Sequence, residues 1–235
     1  MIRLLALGRV DRAGLWRDPL LRWILLVPLL LATGFRLLLQ QITLIAPAWT
    51  QSAHGVIGYI VITLAPLMSG ALAGFLILDQ RDEGSLAALQ ITPLPHIHYL
   101  IYRIGMPTMI GITITLLAIP LSGVRLPALA LAAGVAMAAL LAPLTTLLLA
   151  CIAANNVQGM ALQKLLSLPI LLPIVAVYMG GDWQLLAACL PTYWIAQLVL
   201  PATAQPTLPL LLIGFAQPIV LIMLLGYRWQ RIDIA

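Results

Sequence analysis

Charged residues are scarce in this sequence of 235 residues, since Asp, Glu, Lys and Arg together make up 8% of it. A water-soluble protein carries about 25% charged residues, whereas hydrophobic residues here reach 63%. Too few polar side chains remain to cover a surface in water, so an ordinary soluble domain is excluded. The sequence therefore predicts an all-α integral membrane protein whose main solvent is lipid.

Residue types that carry catalysis or bind metals are also scarce. His96 and His98 lie two positions apart in a predicted loop and lack a third ligand, which favours a surface contact over a metal site. No Ser, His and Asp arrangement at one membrane depth indicates nucleophilic catalysis. The apolar runs hold almost no ionisable residue, which disfavours an intramembrane enzyme and an ion-coupled carrier. We expect no enzymatic activity, no cofactor and no metal in this chain.

Apolar runs long enough to cross a bilayer follow one another along the chain. A hydrocarbon core about 30 Å thick needs about 20 apolar residues in a helix. Six such runs predict six transmembrane helices in a single domain, 1–235, at positions 20–39, 56–78, 99–122, 127–152, 161–180 and 207–227.

A seventh apolar stretch, 184–200, is interrupted by Pro191 and preceded by Gly180, Gly181 and Asp182. Proline and glycine break a helix or turn the chain. We therefore interpret residues 182–206 as a re-entrant helical hairpin on the outer side of the membrane.

The basic residues predict the orientation of the chain. Six crossings leave Arg36 and Arg125 near the outer face and place the other ten on the cytoplasmic side, at Arg3, Arg9, Arg12, Arg17, Arg22, Arg81, Arg103, Lys164, Arg228 and Arg231. Because cytoplasmic loops are enriched in Lys and Arg, both termini are predicted to be cytoplasmic, with residues 1–19 as an interfacial helix. The basic residues form no patch with interleaved aromatics, which argues against a nucleic-acid partner.

The connection between the second and third crossings, 79–98, carries the densest group of charges. Residues 79–95 read DQRDEGSLAALQITPLP. Gly84 permits a sharp turn, Ser85 can cap a new helix, and Pro93 ends that helix after about two turns. The pattern predicts a short helix along the inner face of the membrane.

This stretch resembles a motif of ABC-2 type permeases, the membrane subunits of bacterial ATP-driven exporters. Their pattern reads roughly E-R-(D/E)-x-G-(T/S)-L-x-x-L-x-x-(T/S)-P, and Gln80 is a departure from it. In that family the element is a coupling helix that contacts the ATPase subunit. The resemblance carries this role to Arg81, Asp82, Glu83, Gly84, Ser85, Leu86, Leu89, Thr92 and Pro93. The outer segment 190–194, LPTYW, is similar to stretches of drug-export permeases, fluoroquinolone exporters included.

A plain polar loop is the competing interpretation of 79–98. In that interpretation charged residues merely stay hydrated, and we expect this of Arg81 and Asp82 individually. Glu83 and Gly84 are the stronger candidates for function, with Gly84 setting the turn and Glu83 bracing the coupling helix.

The resemblance implies a permease subunit of an ABC exporter in the plasma (inner) membrane. The chain lacks the phosphate-binding loop G-x-x-x-x-G-K-(S/T), since its only lysine, Lys164, follows Gln163. A separate ATPase subunit carrying ATP and Mg is therefore required, and a second permease copy or a paralogue would complete the pathway. The expected cargo is hydrophobic or amphipathic, and drug-like. A haem-exporter-like permease, an ion-coupled carrier and a non-catalytic scaffold are the alternatives.

Polar side chains within the crossings allow two interpretations. They could line a path for cargo, or they could bond to their own helix and join neighbouring helices. The residues are Thr63, Ser69, Thr113, Thr115, Thr145, Thr146 and Gln217.

Overall fold

The structure is a computed structural model that describes residues 19–83, 96–167, 170–200 and 207–232. Throughout these ranges the chain is helical and has no strand. The helices are α1 (Pro19–Ile45), α2 (Thr50–Asp82), α3 (His96–Ser122), α4 (Ala128–Ala139), α5 (Leu141–Ile152), α6 (Asn156–Ser167), α7 (Leu171–Met179), α8 (Asp182–Ala188), α9 (Pro191–Val199) and α10 (Leu208–Ile232), with a 3-10 turn at Pro47–Trp49. The predicted interfacial helix lies outside the described residues except for Pro19.

Six segments of this fold are long and apolar enough to cross a membrane, which confirms the predicted number of crossings. They are Leu26–Ile45, Pro47–Asp82, Tyr102–Ser122, Ala128–Ile152, Asn156–Met179 and Leu208–Trp229. The fourth comprises α4 and α5, which meet at Leu140. Pro143 lies in the first turn of α5, where its missing N–H costs no helical hydrogen bond.

The second crossing is longer than the sequence predicted. Helix α2 has 33 residues, about 50 Å at 1.5 Å per residue, and continues to Asp82 instead of ending at residue 78. The backbone N–H of Glu83 still donates to Asp79 O at 2.9 Å. Helix α3 likewise begins at His96, so the two histidines assigned to a loop are helical. The rest of the connection predicted at 79–98, residues 84–95, lies outside the described residues.

Helix α2 lies at the centre of the bundle. Most of it is buried, as is most of the α4–α5 pair, whereas only a small share of α1, α3 and α10 is buried. Their exposed faces carry large apolar side chains such as Leu30, Met109 and Leu224, as a surface in contact with lipid would.

Two short helices, α8 and α9, lie within the region 182–206 for which a re-entrant hairpin was predicted, and we call these two helices the hairpin. Helices α8 and α9 have seven and nine residues, about 10 and 14 Å, too short to span a bilayer. Gly180 and Gly181 adopt positive φ angles of 69° and 64° before α8, which glycine permits without strain. Helix α9 is largely buried and packs into the main core cluster with Tyr59, Ile62 and Met137.

A glycine permits the closest contact between α2 and α5. A Cβ on Gly70 would meet Thr145 Oγ1 and Ala142 O, and would lie 2.9 Å from Ala142 Cα. Thr146 Oγ1 donates to Gly70 O at 3.0 Å across the same contact. Small residues let membrane helices approach this closely, and the buried hydroxyl then joins them.

We expect Gly70→Ala to destabilise the chain, because the methyl group would overlap the backbone of α5 and force the helices apart. Overpacking costs about 1–3 kcal/mol, which corresponds to a melting temperature lower by about 3 °C or more in a chain of this size. The measurement is thermal unfolding of the purified chain in detergent. Gly34→Ala is the matched control, since a Cβ there meets nothing within 4 Å. Equal melting temperatures for the two variants would contradict the close contact between α2 and α5 at Gly70.

Candidate functional site

The charged end of α2 lies against the connection between α5 and α6, residues 153–155. We call residues 79–83 together with this connection the 79–83 corner. Arg81 contacts this connection, and Asp79 and Asp82 contact the first residue of α6, although about 70 residues of chain separate the three from their partners. The corner thus contains three charged residues for which the sequence predicted a hydrated connection.

Arg81 caps the end of α5. Its Nη1 donates to Ala153 O and its Nη2 to Ala150 O, both at 2.9 Å. Carbonyl groups in the last turn of a helix lack intrahelical donors, and a cation there also opposes the negative end of the helix dipole. The guanidinium group therefore supplies two charge-assisted hydrogen bonds where α5 requires donors.

Arg81 also contacts α10. Its Cζ lies 5.6 Å from the centroid of the Trp229 ring, within the distance of a cation–π interaction. Trp229 is buried in a small cluster with Ile77, Leu147 and Ala150. One side chain of α2 thus holds both α5 and α10.

Asp82 and Asp79 hold the start of α6. Asp82 Oδ2 accepts a hydrogen bond from the backbone N–H of Asn156 at 3.1 Å, and Asp79 Oδ1 accepts from Asn156 Nδ2. Carboxylates are favourable at a helix N-terminus, where backbone N–H groups lack partners. Asn155 Oδ1 also accepts from the backbone N–H of Gln158 at 2.9 Å, the pattern of an N-cap residue.

These contacts correct the expectation that Arg81 and Asp82 are merely hydrated. The cation lies at a helix C-terminus and the anions lie at the N-terminus of the next helix, so each charge matches its helix dipole. Glu83 differs from them, because its exposed side chain makes no hydrogen bond to the residues that the structure describes. The other predicted coupling residues, Gly84, Ser85, Leu86, Leu89, Thr92 and Pro93, lie outside the described residues.

Sequence reasoning missed Asn156 and Trp229 as partners in the corner. The local signal for the start of α6 was present, since Asn155 precedes Gln158 by three residues, the spacing of an N-cap with its N3 residue. No local signal links Trp229 to Arg81.

Gln217 attaches the hairpin to α10. Its Nε2 donates to Cys189 O at 2.8 Å and to Ala188 O at 3.1 Å, and its Oε1 accepts from Trp194 Nε1 at 2.7 Å. The side-chain amide of Gln217 therefore forms hydrogen bonds both to the C-terminal end of α8 and to the first turn of α9.

The six hydroxyl groups named above bond within their helices, which favours the second interpretation. Each donates to a carbonyl three or four residues earlier, as Thr63 does to Tyr59 O at 2.8 Å and Thr115 to Gly111 O at 2.8 Å. These six hydroxyls are therefore not free to line a path. Across the described ranges, no group of three His, Cys, Asp or Glu side chains could hold a metal ion.

Comparison with known proteins agrees with this membrane architecture. Residues 11–226 match the family described as "Fluoroquinolones export permease protein Rv2686c-like". The chain belongs to this family. Two curated relatives from Mycobacterium tuberculosis strains, each named a fluoroquinolones export permease protein, are 30% identical over 210 residues, covering 83% of this chain and 80% of the relative.

Membership in the fluoroquinolones export permease family, together with six apolar helices, makes the chain a multi-pass membrane protein. The matched region includes both the 79–83 corner and the hairpin.

We expect Arg81→Met to lower the stability of this permease, because two carbonyl groups of α5 lose their donors while the length of the side chain is kept. Hydrogen bonds to charged groups contribute about 1.5–3 kcal/mol each. The measurement is the melting temperature in detergent. Arg228→Met is the control, since Arg228 is exposed on the same helix as Trp229. A drop no larger than that of the control would contradict the capping role.

We expect Gln217→Leu to loosen the hairpin, since three hydrogen bonds disappear at once. Amide hydrogen exchange measured by mass spectrometry should become faster in peptides covering 187–195. Gln184→Leu, a change within α8 at a side chain with no hydrogen bond to the described residues, should leave this exchange unaltered. Unchanged exchange in Gln217→Leu would exclude the anchoring role.

Proposed function

We propose that this chain is the membrane-spanning permease subunit of an ATP-driven ABC exporter of the ABC-2 type. A separate nucleotide-binding subunit, which carries ATP and Mg, would supply the energy. The chain itself would be neither an enzyme nor a holder of cofactors.

The observation that carries this proposal is the way α2 ends. The most buried of the six crossings finishes in a turn fixed to α5, α6 and α10 by Arg81, Asp79 and Asp82. The segment resembling a coupling helix, 79–95, begins in this turn. A force applied to residues 84–95 would therefore reach four helices through a rigid attachment, which is what a coupling element requires.

The proposed cargo is a hydrophobic or amphipathic, drug-like compound. Fluoroquinolones are the first class to test, since the relatives bear that name. A second copy of the chain or a similar permease would form the other half of the pathway.

The proposed orientation follows the positive-inside rule. Both termini and the 79–83 corner would face the cytoplasm across the inner membrane, and the α8–α9 hairpin would dip into the bilayer from the outside. A haem-exporter-like permease, an ion-coupled carrier and a scaffold remain the alternatives that transport measurements discriminate.

The test is a gentle-detergent purification of the tagged chain from its native membrane, with partners identified by mass spectrometry and ATPase activity measured in the eluate. We expect a subunit with nucleotide-binding motifs to accompany the chain. Glu83→Ala and Gly84→Val, in separate variants, should lower the recovered ATPase activity about tenfold, as the loss of a contact of about 1.4 kcal/mol would.

Glu83 is the informative position because its exposed side chain can be removed without disturbing the corner that Arg81 and Asp82 hold. Asp182→Ala is the matched control, since it removes an exposed carboxylate from the hairpin. If the wild-type chain purifies alone and transports under an ion gradient without ATP, the proposal is wrong.

A further inference from the structure

A cleft of about 820 Å³ opens at the other end of α2, away from the 79–83 corner. It lies between the end of α1, the first turns of α2 and the connection between α3 and α4. His54 and Arg81 are 27 positions apart on one helix, which places the two regions about 40 Å from each other. The cleft is therefore separate from the proposed coupling region.

Two arginines line this cleft, and no acid does. Arg36 and Arg125 are among its lining residues, and both are exposed. Neither forms an ion pair with any residue that the structure describes. Two positive charges that share one concave surface without a counter-ion favour an anionic ligand.

The local structure holds both arginines in place. The stem of Arg36 passes the turn at Gly123, where its Cγ would lie 3.5 Å from a Cβ on that glycine, and Gly123 has a φ of 68°. The backbone N–H of Arg125 donates to His54 Nδ1 at 3.2 Å. Because Nδ1 accepts, the Nε2 of a neutral His54 carries the proton and is a further donor at the cleft.

Thr50 supplies an independent observation, an unpartnered polar atom on a lining residue. Its Oγ1 is buried at the cleft and has no hydrogen-bond partner among the described residues. Buried polar atoms nearly always have a partner, so an isolated one marks a place where a bound group or water is expected.

The remaining walls are mixed, since Leu39, Leu44 and Val124 are apolar while Gln40, Gln41, Thr43 and Ser122 are polar. The exposed Leu44 and the exposed ring of neighbouring Trp49 fit the boundary between lipid and water. The volume lies within the range of about 300–1,000 Å³ found for pockets that hold drug-sized ligands.

We propose that this Arg36–Arg125 cleft binds the anionic head, a phosphate or carboxylate, of an amphiphile whose apolar part extends into the bilayer. Arg36 and Arg125 bind the anion, His54 and Thr50 supply further hydrogen bonds, and the leucines contact the apolar part. A membrane phospholipid and a transported carboxylate drug share this chemistry. Binding at the cleft requires no ATPase subunit, so its test is independent of the proposed energy source.

The experiment measures the binding of four probes to the purified full-length chain in an uncharged detergent. Dihexanoylphosphatidylglycerol is paired with uncharged dihexanoylglycerol, and ciprofloxacin with its decarboxylated analogue. We expect at least one of the two probes that carry the anionic group to bind more tightly than its counterpart without that group. Preference for the phospholipid alone identifies a lipid site, preference for ciprofloxacin alone identifies a cargo site, and both together indicate recognition of the anion itself.

Variants of the arginines test the assignment directly. Arg36→Gln and Arg125→Gln should each weaken the binding of the probe that carries the anionic group about tenfold, which is the loss expected for one hydrogen bond to a charged group. The double variant should weaken this binding further. Arg36→Lys with Arg125→Lys keeps the charge and should restore part of the binding, which also reports that the chain is folded. Arg228→Gln, which removes an exposed arginine from α10, should bind as the wild type does.

Two results would overturn the proposal. One is that neither probe with the anionic group binds more tightly than its counterpart without that group. The other is binding that survives unchanged in the double Gln variant while its melting temperature matches that of the wild type.

Discussion

Arg81 satisfies two carbonyl groups that the end of α5 leaves without intrahelical donors, and the arrangement of the bundle at that end depends on this contact. In or near hydrocarbon, each unsatisfied backbone group costs several kcal/mol. Leaving both carbonyl groups without donors would therefore cost about as much as the whole free energy of unfolding of a small domain. The same guanidinium group lies over Trp229 of α10. The neighbouring carboxylate of Asp82 then accepts from the first residue of α6. Three helices, α5, α6 and α10, are thus positioned by the last turn of α2.

The number of crossings could be predicted because lipid leaves the backbone few choices. A run of about 20 apolar residues has to become a helix so that every amide is paired internally, and hydropathy therefore predicts the six spans. The interruptions before α8 and between α8 and α9 were also predictable, since Gly180, Gly181 and Pro191 turn the chain or break a helix within an apolar stretch.

The end of α2 could not be predicted from local pattern. Residues 79–82 are polar after a long apolar run, and such residues ordinarily form a hydrated loop. Here they continue the helix because their partners, Ala150, Ala153 and Asn156, lie about 70 residues further along the chain. Gln217 illustrates the same limit. A single glutamine in an apolar helix is compatible with a cargo path, and only the fold places the carbonyl groups of Ala188 and Cys189 beside it.

The distance in sequence between Arg81 and its partners also affects how the protein is made. Arg81 precedes Ala150 and Ala153 by 69 and 72 residues. At a synthesis rate of about 5–20 residues per second, the carbonyl groups that it caps emerge from the ribosome about 4–14 s after it does. During that interval the guanidinium group has to remain hydrated at the membrane surface, which keeps the second helix from sliding deeper into the bilayer until the fourth crossing arrives. Arg81, which joins the helices of the finished bundle, thereby also limits how deeply α2 enters the bilayer during insertion.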